Sequence, residues 1–299
     1  MRAWSTARWS MPLPEGHRFP MGKYHLVRDG VMAAGLLPAT AMHEPERVAR
    51  ESLGLVHGAG YVDGVLAGTL GDAAMRRLGF PWHPLLPERS LRTVQGTLEA
   101  ARDALEHGAG INLAGGTHHA YPDHGEGYCV FNDVAVAIRT LQRDGHLARA
   151  AIIDLDVHQG NGTAKIFGDD PDIFTFSMHG ARNYPFRKER SHLDVELADR
   201  TGDAEYLALV DRHLDGVLDR ARADLVVYIA GADPYHGDRL GRLQLSIDGL
   251  RDRDRRVFDA CWRRRLPVVM VLGGGYAADL GDLVTIHGNT VRELVTRYG

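Results

Sequence analysis

Cysteine is almost missing from this 299-residue chain: Cys129 and Cys261 are the only two. That excludes a disulfide framework, and neither has a partner at metal-binding spacing, so both are expected as small buried hydrophobes. Lysine is scarce too, confined to Lys23, Lys165 and Lys188 among 35 basic residues, and is read as a compositional habit without functional weight. No apolar run approaches the roughly 18 residues of a membrane span, and the opening MRAWSTARWSMPLPEG lacks the apolar centre of a secretory signal. The expectation is a cytoplasmic protein with no membrane contact. A formal net charge of −4 exerts no general pull on phosphate backbones, so no direct nucleic-acid partner is expected. Repeats, low-complexity tracts and Pro- or Ser-rich linkers are missing as well, which favours one domain over residues 1–299.

What is present is a series of short apolar runs bounded by Gly, Pro or Asp. With 44% hydrophobic and 25% charged residues, the chain can bury a sizeable core. The runs at 111–114, 150–157, 173–178, 225–230 and 268–272 predict strands buried on both faces of a parallel sheet. Amphipathic stretches at 88–107, 132–144, 204–222 and 247–265 predict the helices between them. Strand alternating with helix implies an α/β domain with a mostly parallel central sheet and helices on both faces. Polar clusters follow the runs: GGTHHA after INLA, HQGNG after AAIIDLDV, GADP after LVVYIA, and GGGY after PVVMVL. Open parallel sheets form their ligand crevice outside the carboxyl ends of the strands, so one active site is expected where these clusters converge.

In DLDVH, Asp154, Asp156 and His158 alternate with Leu155 and Val157, which puts three polar groups on one face of an extended chain. Carboxylate oxygens and an imidazole nitrogen suit zinc, and a catalytic zinc takes three protein ligands and an open position. Asp156 and His158 supply two. Asp233, which ends another buried strand before Pro234, is the third candidate, because an uncompensated buried carboxylate is costly. Taken singly, each acid equally suits a helix or turn cap. His118 and His119, after Gly115 and Gly116, suit general acid and base work near neutral pH, although a lone pair of this kind is more often structural. Tyr276, after Gly273, Gly274 and Gly275, can donate to a developing oxyanion or simply pack on a turn. RDRDRR at 251–256 reads as a solvated helix face rather than a nucleic-acid patch, because Asp interleaves with Arg.

Together, GGTHHA, GEGYCVFNDVAVAI, DLDVHQGNG, GADP and LGGGY resemble the histone deacetylase family in order, spacing and strand context across most of the chain. The front end LPEGHRFPMGKY, with HQGNG and GDRLG, is most similar to the class IV branch and its bacterial relatives. The resemblance implies a zinc-dependent amidohydrolase that removes an acetyl or longer acyl group from a lysine side chain or a similar small amine. It makes Asp156, His158 and Asp233 the ligands of one zinc ion per chain, His118 and His119 the acid/base pair, and Tyr276 the carbonyl polariser. It gives Asp154 two roles: orienting His118, and helping to hold a structural potassium ion with backbone near Asp156, His158, Ser177 and Met178. Arg18 matches an arginine of an internal cavity beneath the zinc, Tyr128 and Tyr184 wall the acyl tunnel, and Gly115, Gly273 and Gly275 lie beside it.

Two departures from better-known members matter. Asn161 stands where those enzymes have an Asp beside the second histidine, so the proton affinity of His119 is expected to be lower. Thr117 replaces a large aromatic before the pair, which implies a roomier cavity and longer acyl chains. An arginase-like ureohydrolase shares the sheet but needs two manganese ions and further acids, and position 160 is Gly where that family has another Asp. A non-catalytic acyl-lysine-binding protein is the other alternative, expected to have lost Tyr276, a histidine or a ligand; all are intact.

Overall fold

Valine, isoleucine and alanine dominate the apolar runs, and such strands are stable only when both sheet faces are covered. The computed structural model, which describes residues 1–299, places them with three further strands in one eight-stranded, wholly parallel sheet. In chain order the strands are β1 (Ala3–Trp4), β2 (Met42–His43), β3 (Ala109–Asn112), β4 (Ala150–Asp154), β5 (Ile173–Gly180), β6 (Leu193–Leu197), β7 (Leu225–Ile229) and β8 (Val268–Val271). Across the sheet they run β2-β1-β3-β8-β7-β4-β5-β6.

Alternate residues of the central strands feed two separate cores, as a period of two requires. Ile152, Val227 and Val269 join Leu98, Ala101, Val134 and Ile138 from helices Leu85–His107 and Asp133–Arg143 on one face. Ile153, Tyr228 and Met270 join Val210, Phe258 and Ile286 from helices Asp203–Ala221, Ile247–Arg263 and Leu280–Tyr298 on the other. Side-chain caps set two helix starts: Asn132 accepts from Ala135 N and Ser246 from Gly249 N, satisfying donors that the first turn leaves free.

The expected strand over 150–157 stops at Asp154 because the next N–H groups turn to carboxylates instead of the ladder. Asp156 N donates to Asp154 Oδ1, Val157 N to Asp233 Oδ1 and His158 N to Asp156 Oδ1, at 3.1, 2.9 and 2.9 Å. β1 and β2 are too short to carry a period, and β6 is a half-buried edge strand, so none has a counterpart among the predicted elements. The RDRDRR run is only partly a solvated face. Arg253 and Asp254 are fully buried and paired at 2.8 Å, while Arg251, Arg255 and Arg256 meet acids at the surface. With Leu250 and Val257 buried one turn away on either side, helical periodicity turns positions 253 and 254 inward.

β3, β8, β7 and β4 are neighbours in the sheet. The segments that follow them therefore emerge side by side. Where helix Leu85–His107 crosses β3, a methyl group at Gly110 would collide with the Ala100 carbonyl oxygen. Gly110→Ala is expected to destabilise the protein by about 3 kcal/mol or more. Gly216→Ala, on helix Asp203–Ala221 with nothing within 4 Å of the added methyl, should stabilise it by up to about 1 kcal/mol. Urea denaturation measures both, and equal midpoints would contradict this account of the packing.

Candidate active site

At the carboxyl ends of β4 and β7 three candidate metal-binding side chains meet. Asp156, His158 and Asp233 are buried and offer ligand atoms within 4.8 Å of one another. His158 Nδ1 lies 3.1 Å from both Asp156 Oδ1 and Asp233 Oδ2. The other carboxylate oxygens are held by backbone: Gly274 N donates to Asp156 Oδ2 at 2.6 Å and Val157 N to Asp233 Oδ1 at 2.9 Å. Only glycine fits at 274, since a Cβ would fall on Asp233 Oδ2. Burial, and then the charge of Asp156, raises Asp233 to about 7. Burial also opposes charge on His158, but hydrogen bonds to Asp156 and Asp233, together with their charges, outweigh it and raise the imidazole to about 10. That imidazolium proton balances part of the negative charge, and a divalent cation bound by these three groups would displace it.

The segment after β3 carries the histidine pair across to the end of β4. His118 Nδ1 lies 2.7 Å from Asp154 Oδ2, and its Nε2 lies 3.9 Å from Asp156 Oδ1. Burial disfavours its charge, yet Asp154 and then Asp156 raise it to about 9. His119, with its ring centroid 4.2 Å away, moves in the opposite direction: burial first, then the charges on His118 and His158, lower it well below the ordinary imidazole value. His119 Nδ1 and Asn161 Oδ1 are 2.6 Å apart, while the Asn161 amide donates to Glu126 Oε1 at 2.6 Å and Tyr121 Oη at 3.2 Å. With the amide oriented that way, His119 donates through Nδ1 and keeps Nε2 as an acceptor. Asp133 accepts from Gly116 N and Thr117 N at 3.0 and 2.7 Å, holding the turn that presents the pair.

Tyr276 N donates to Asp238 Oδ2 at 2.6 Å, and the ring borders both the outer mouth and an inner cavity, 6.3 Å from the ring of His158. Burial, then the charges of Asp233 and Asp156, pushes its hydroxyl well up, so it stays protonated. Tyr128 and Tyr184 line the mouth, with Tyr184 5.1 Å from His119 and Tyr128 6.0 Å from Tyr276 between ring centroids. Gly273 N donates to Gly115 O at 3.2 Å, joining the loops after β8 and β3 beneath the site. Asp154 pairs in register with Ser177 on β5, next to buried Met178.

Two placements differ from expectation. Arg18 is not in an internal cavity but exposed at the mouth, because its neighbour Phe19 turns inward onto Tyr128 and Tyr276. Buried cations behind the site include Arg253, Arg89 and Lys23, and Lys23 Nζ reaches Gly273 O at 3.4 Å and Gly275 O at 3.3 Å. Lys23, discounted on composition, thus supports the loop that carries Tyr276; its place in HRFPMGKY is the signal that marks it. Thr117 does not open a large space. Its hydroxyl lies 2.5 Å from Phe131 O and Asp133 Oδ1, and Phe19 and Tyr24 border two inner cavities of about 40 Å³ each. That is room for about two or three waters. Asp133, Glu126 and Asp238 also went unrecognised in the sequence, since each acts through a backbone or amide group that only folding brings near.

Fold and site together define an α/β enzyme that gathers a carboxylate–imidazole cluster and a histidine pair at the carboxyl ends of a parallel sheet. The histone deacetylase domain matches residues 17–290. The chain is 46% identical over 276 residues to an uncharacterized protein of Picosynechococcus sp., covering 92% of each. It is 32% identical to histone deacetylase 2 of Arabidopsis thaliana, over 89% of this chain and 71% of that one. It is 30% identical to a histone deacetylase-like amidohydrolase of Pseudomonas aeruginosa, over 89% of this chain and 74% of that one. The crystal structure of the HDA15 HD domain shares the fold, with a TM-score of 0.83 over 99% of this chain and 88% of that chain at 21% identity. The chain belongs to the histone deacetylase family and is a hydrolase of amide C–N bonds.

Asp156→Ala, His158→Ala and Asp233→Ala each leave two donors, and each should lower the divalent-metal content of the purified protein, read by elemental analysis. With His158 held protonated up to about 10 and Asp233 up to about 7, a divalent metal taken up by this cluster at neutral pH would displace protons. Affinity should therefore rise with pH, by up to about tenfold per unit for each proton displaced. Calorimetry in buffers of different ionisation enthalpy measures the release, and an affinity flat in pH would contradict it.

Proposed function

We propose that the chain is a zinc-dependent deacylase, removing an acetyl or other acyl group from a lysine side chain or similar amine. The observation that carries this function is a three-donor cluster beside a neutral histidine whose Nδ1 is already engaged by Asn161. The donors fit zinc: two carboxylates and one imidazole are the number and type that leave a position open, and two acids so deeply buried need a cation. Bound there, zinc would supply Lewis acidity towards the amide carbonyl and water.

The protein groups divide the remaining work. His119, neutral and with Nε2 free, takes the proton from the attacking water. The protonated Tyr276 hydroxyl donates to the oxygen that gains charge as the carbonyl becomes tetrahedral. His118, which holds a proton through Asp154, delivers one to the departing amine, so the two histidines act as a coupled pair. The inner cavities take an acetyl or other short acyl group, and a longer chain requires Phe19 or Tyr24 to move.

A structural potassium ion belongs to the same proposal, held by Asp154 and by backbone around Asp156, His158, Ser177 and Met178, and the register of Asp154 with Ser177 supports it. So does membership of the class IV branch, from the front end LPEGHRFPMGKY, with residues 1–299 as one deacetylase-like domain in the cytoplasm. No helix is long and apolar enough to cross a membrane. A binuclear manganese ureohydrolase would need a second acid set, and Asp156, His158 and Asp233 form the one group of three donors in ligand reach.

Purified protein should hydrolyse acetyl-lysine peptides with one zinc per chain; two equivalents of manganese with arginine hydrolysis would overturn the proposal. Tyr276→Phe should keep metal content and melting temperature while kcat falls about 10²- to 10³-fold, since the lost hydrogen bond matters most in the transition state. Unchanged turnover would make Tyr276 a packing residue. Asn161→Asp should raise the proton affinity of His119 and so move the acidic limb of the pH profile up by about one unit. An unmoved limb would show that His119 is not the base.

A further inference from the structure

The wide mouth of the site, a cavity of about 640 Å³, is lined by six arginines and no carboxylate: Arg18, Arg76, Arg77, Arg182, Arg239 and Arg242. All six are exposed. They come from four separate stretches of chain, so the fold gathers the charge at the opening instead of one helix carrying it. Asp199 is the one acid that pairs with any of them, at 3.5 Å from Arg182 and 3.3 Å from Arg242. Arg239 donates Nε to Tyr276 O at 3.0 Å, so it holds the loop of the oxyanion donor as well as lining the mouth. Most of this positive charge has no partner in the chain, although the chain as a whole carries a formal −4. Phe186, 87% exposed, adds an apolar surface at the same opening.

We propose that the arginine mouth selects an acylated lysine within an acidic peptide segment and repels cationic carriers of the acyl group such as acylpolyamines. The proposal rests on the deacylase function given above and narrows its substrate. Guanidinium groups pair with carboxylates through two parallel hydrogen bonds, and several of them lining one opening give the approaching peptide both attraction and a preferred sign of charge. A cationic substrate meets like charge from several sides before its amide reaches His119 and Tyr276.

The test uses two acetyl-lysine peptides of equal length, one flanked by Asp and Glu and one by Lys and Arg, together with an acetylated polyamine. The zinc-loaded full chain should give a kcat/KM about tenfold or more higher on the acidic peptide at low salt, with the ratio shrinking towards one in about 0.5 M salt. The combined variant Arg18→Glu, Arg76→Glu, Arg77→Glu should reverse the ratio. Comparing peptides on the same protein cancels any loss of folded enzyme. Equal rates on both peptides, or a ratio indifferent to salt and to charge reversal, would overturn the proposal and leave the deacylase function standing. If no substrate is turned over, the deacylase function fails. Fluorescence anisotropy of the labelled peptides then decides the mouth on its own: tighter binding of the acidic peptide upholds it, and equal binding overturns it. Tighter binding of a labelled oligouridylate of matched charge than of the acidic peptide would also overturn it.

Discussion

Asp154, Asp156 and Asp233 leave water side by side at the end of one sheet, and much of the structure answers their mutual repulsion. A buried charge left unpaired destabilises a fold by several kcal/mol. His118 meets Asp154, and His158 bridges Asp156 and Asp233. Backbone N–H groups of residues 156, 157, 158 and 274 take further lone pairs. Below them Arg253 donates Nη1 to Leu155 O at 3.1 Å and to Gly231 O at 2.7 Å, tying the ends of β4 and β7 together. Asp254 answers that arginine in turn and accepts from the hydroxyls of Tyr228 and Thr290 at 2.5 and 2.6 Å. A continuous polar chain therefore runs from helix Ile247–Arg263 through two strand ends to the candidate metal-binding side chains.

The same acids separate the two histidines chemically. His118 faces carboxylates and holds its proton; His119 faces an amide and two cationic neighbours and gives its proton up. Adjacent residues of one type thus acquire opposite proton preferences from their surroundings, which is how a site runs acid and base chemistry at one pH. Glu126 contributes without touching the pair, because it fixes which end of the Asn161 amide faces His119.

The site has two layers that differ in size and charge. The inner cavities are small and edged by aromatic rings, so under the proposed function they would discriminate by the size of the acyl group. The mouth is wide and cationic, and on the proposal above it would sort substrates by the charge of whatever carries that group. Apolar enclosure and long-range charge act over different distances and can be tuned separately.

Period and composition alone determined the five central strands, four of the helices and the carboxyl-end position of the site, because a strand buried on both faces has few alternative sequences. The alternation in DLDVH marks Asp154, Asp156 and His158 as one polar group, although the strand itself stops at Asp154, and the family motifs point to Asp233, the histidine pair and Tyr276. What escaped was whatever depends on approach from a distant segment. Lys23 becomes part of the site only because helix Lys23–Ala33 packs against the loop after β8. Arg18 is turned out to the mouth by its inward-facing neighbour Phe19, and the space expected from Thr117 is closed by Phe19 and Tyr24. The cationic mouth is likewise invisible in the sequence, where its six arginines are scattered among many others across more than two hundred residues. Local pattern decides which residues are buried and on which face, whereas charge balance and cavity shape are sums over segments that only the tertiary fold brings together.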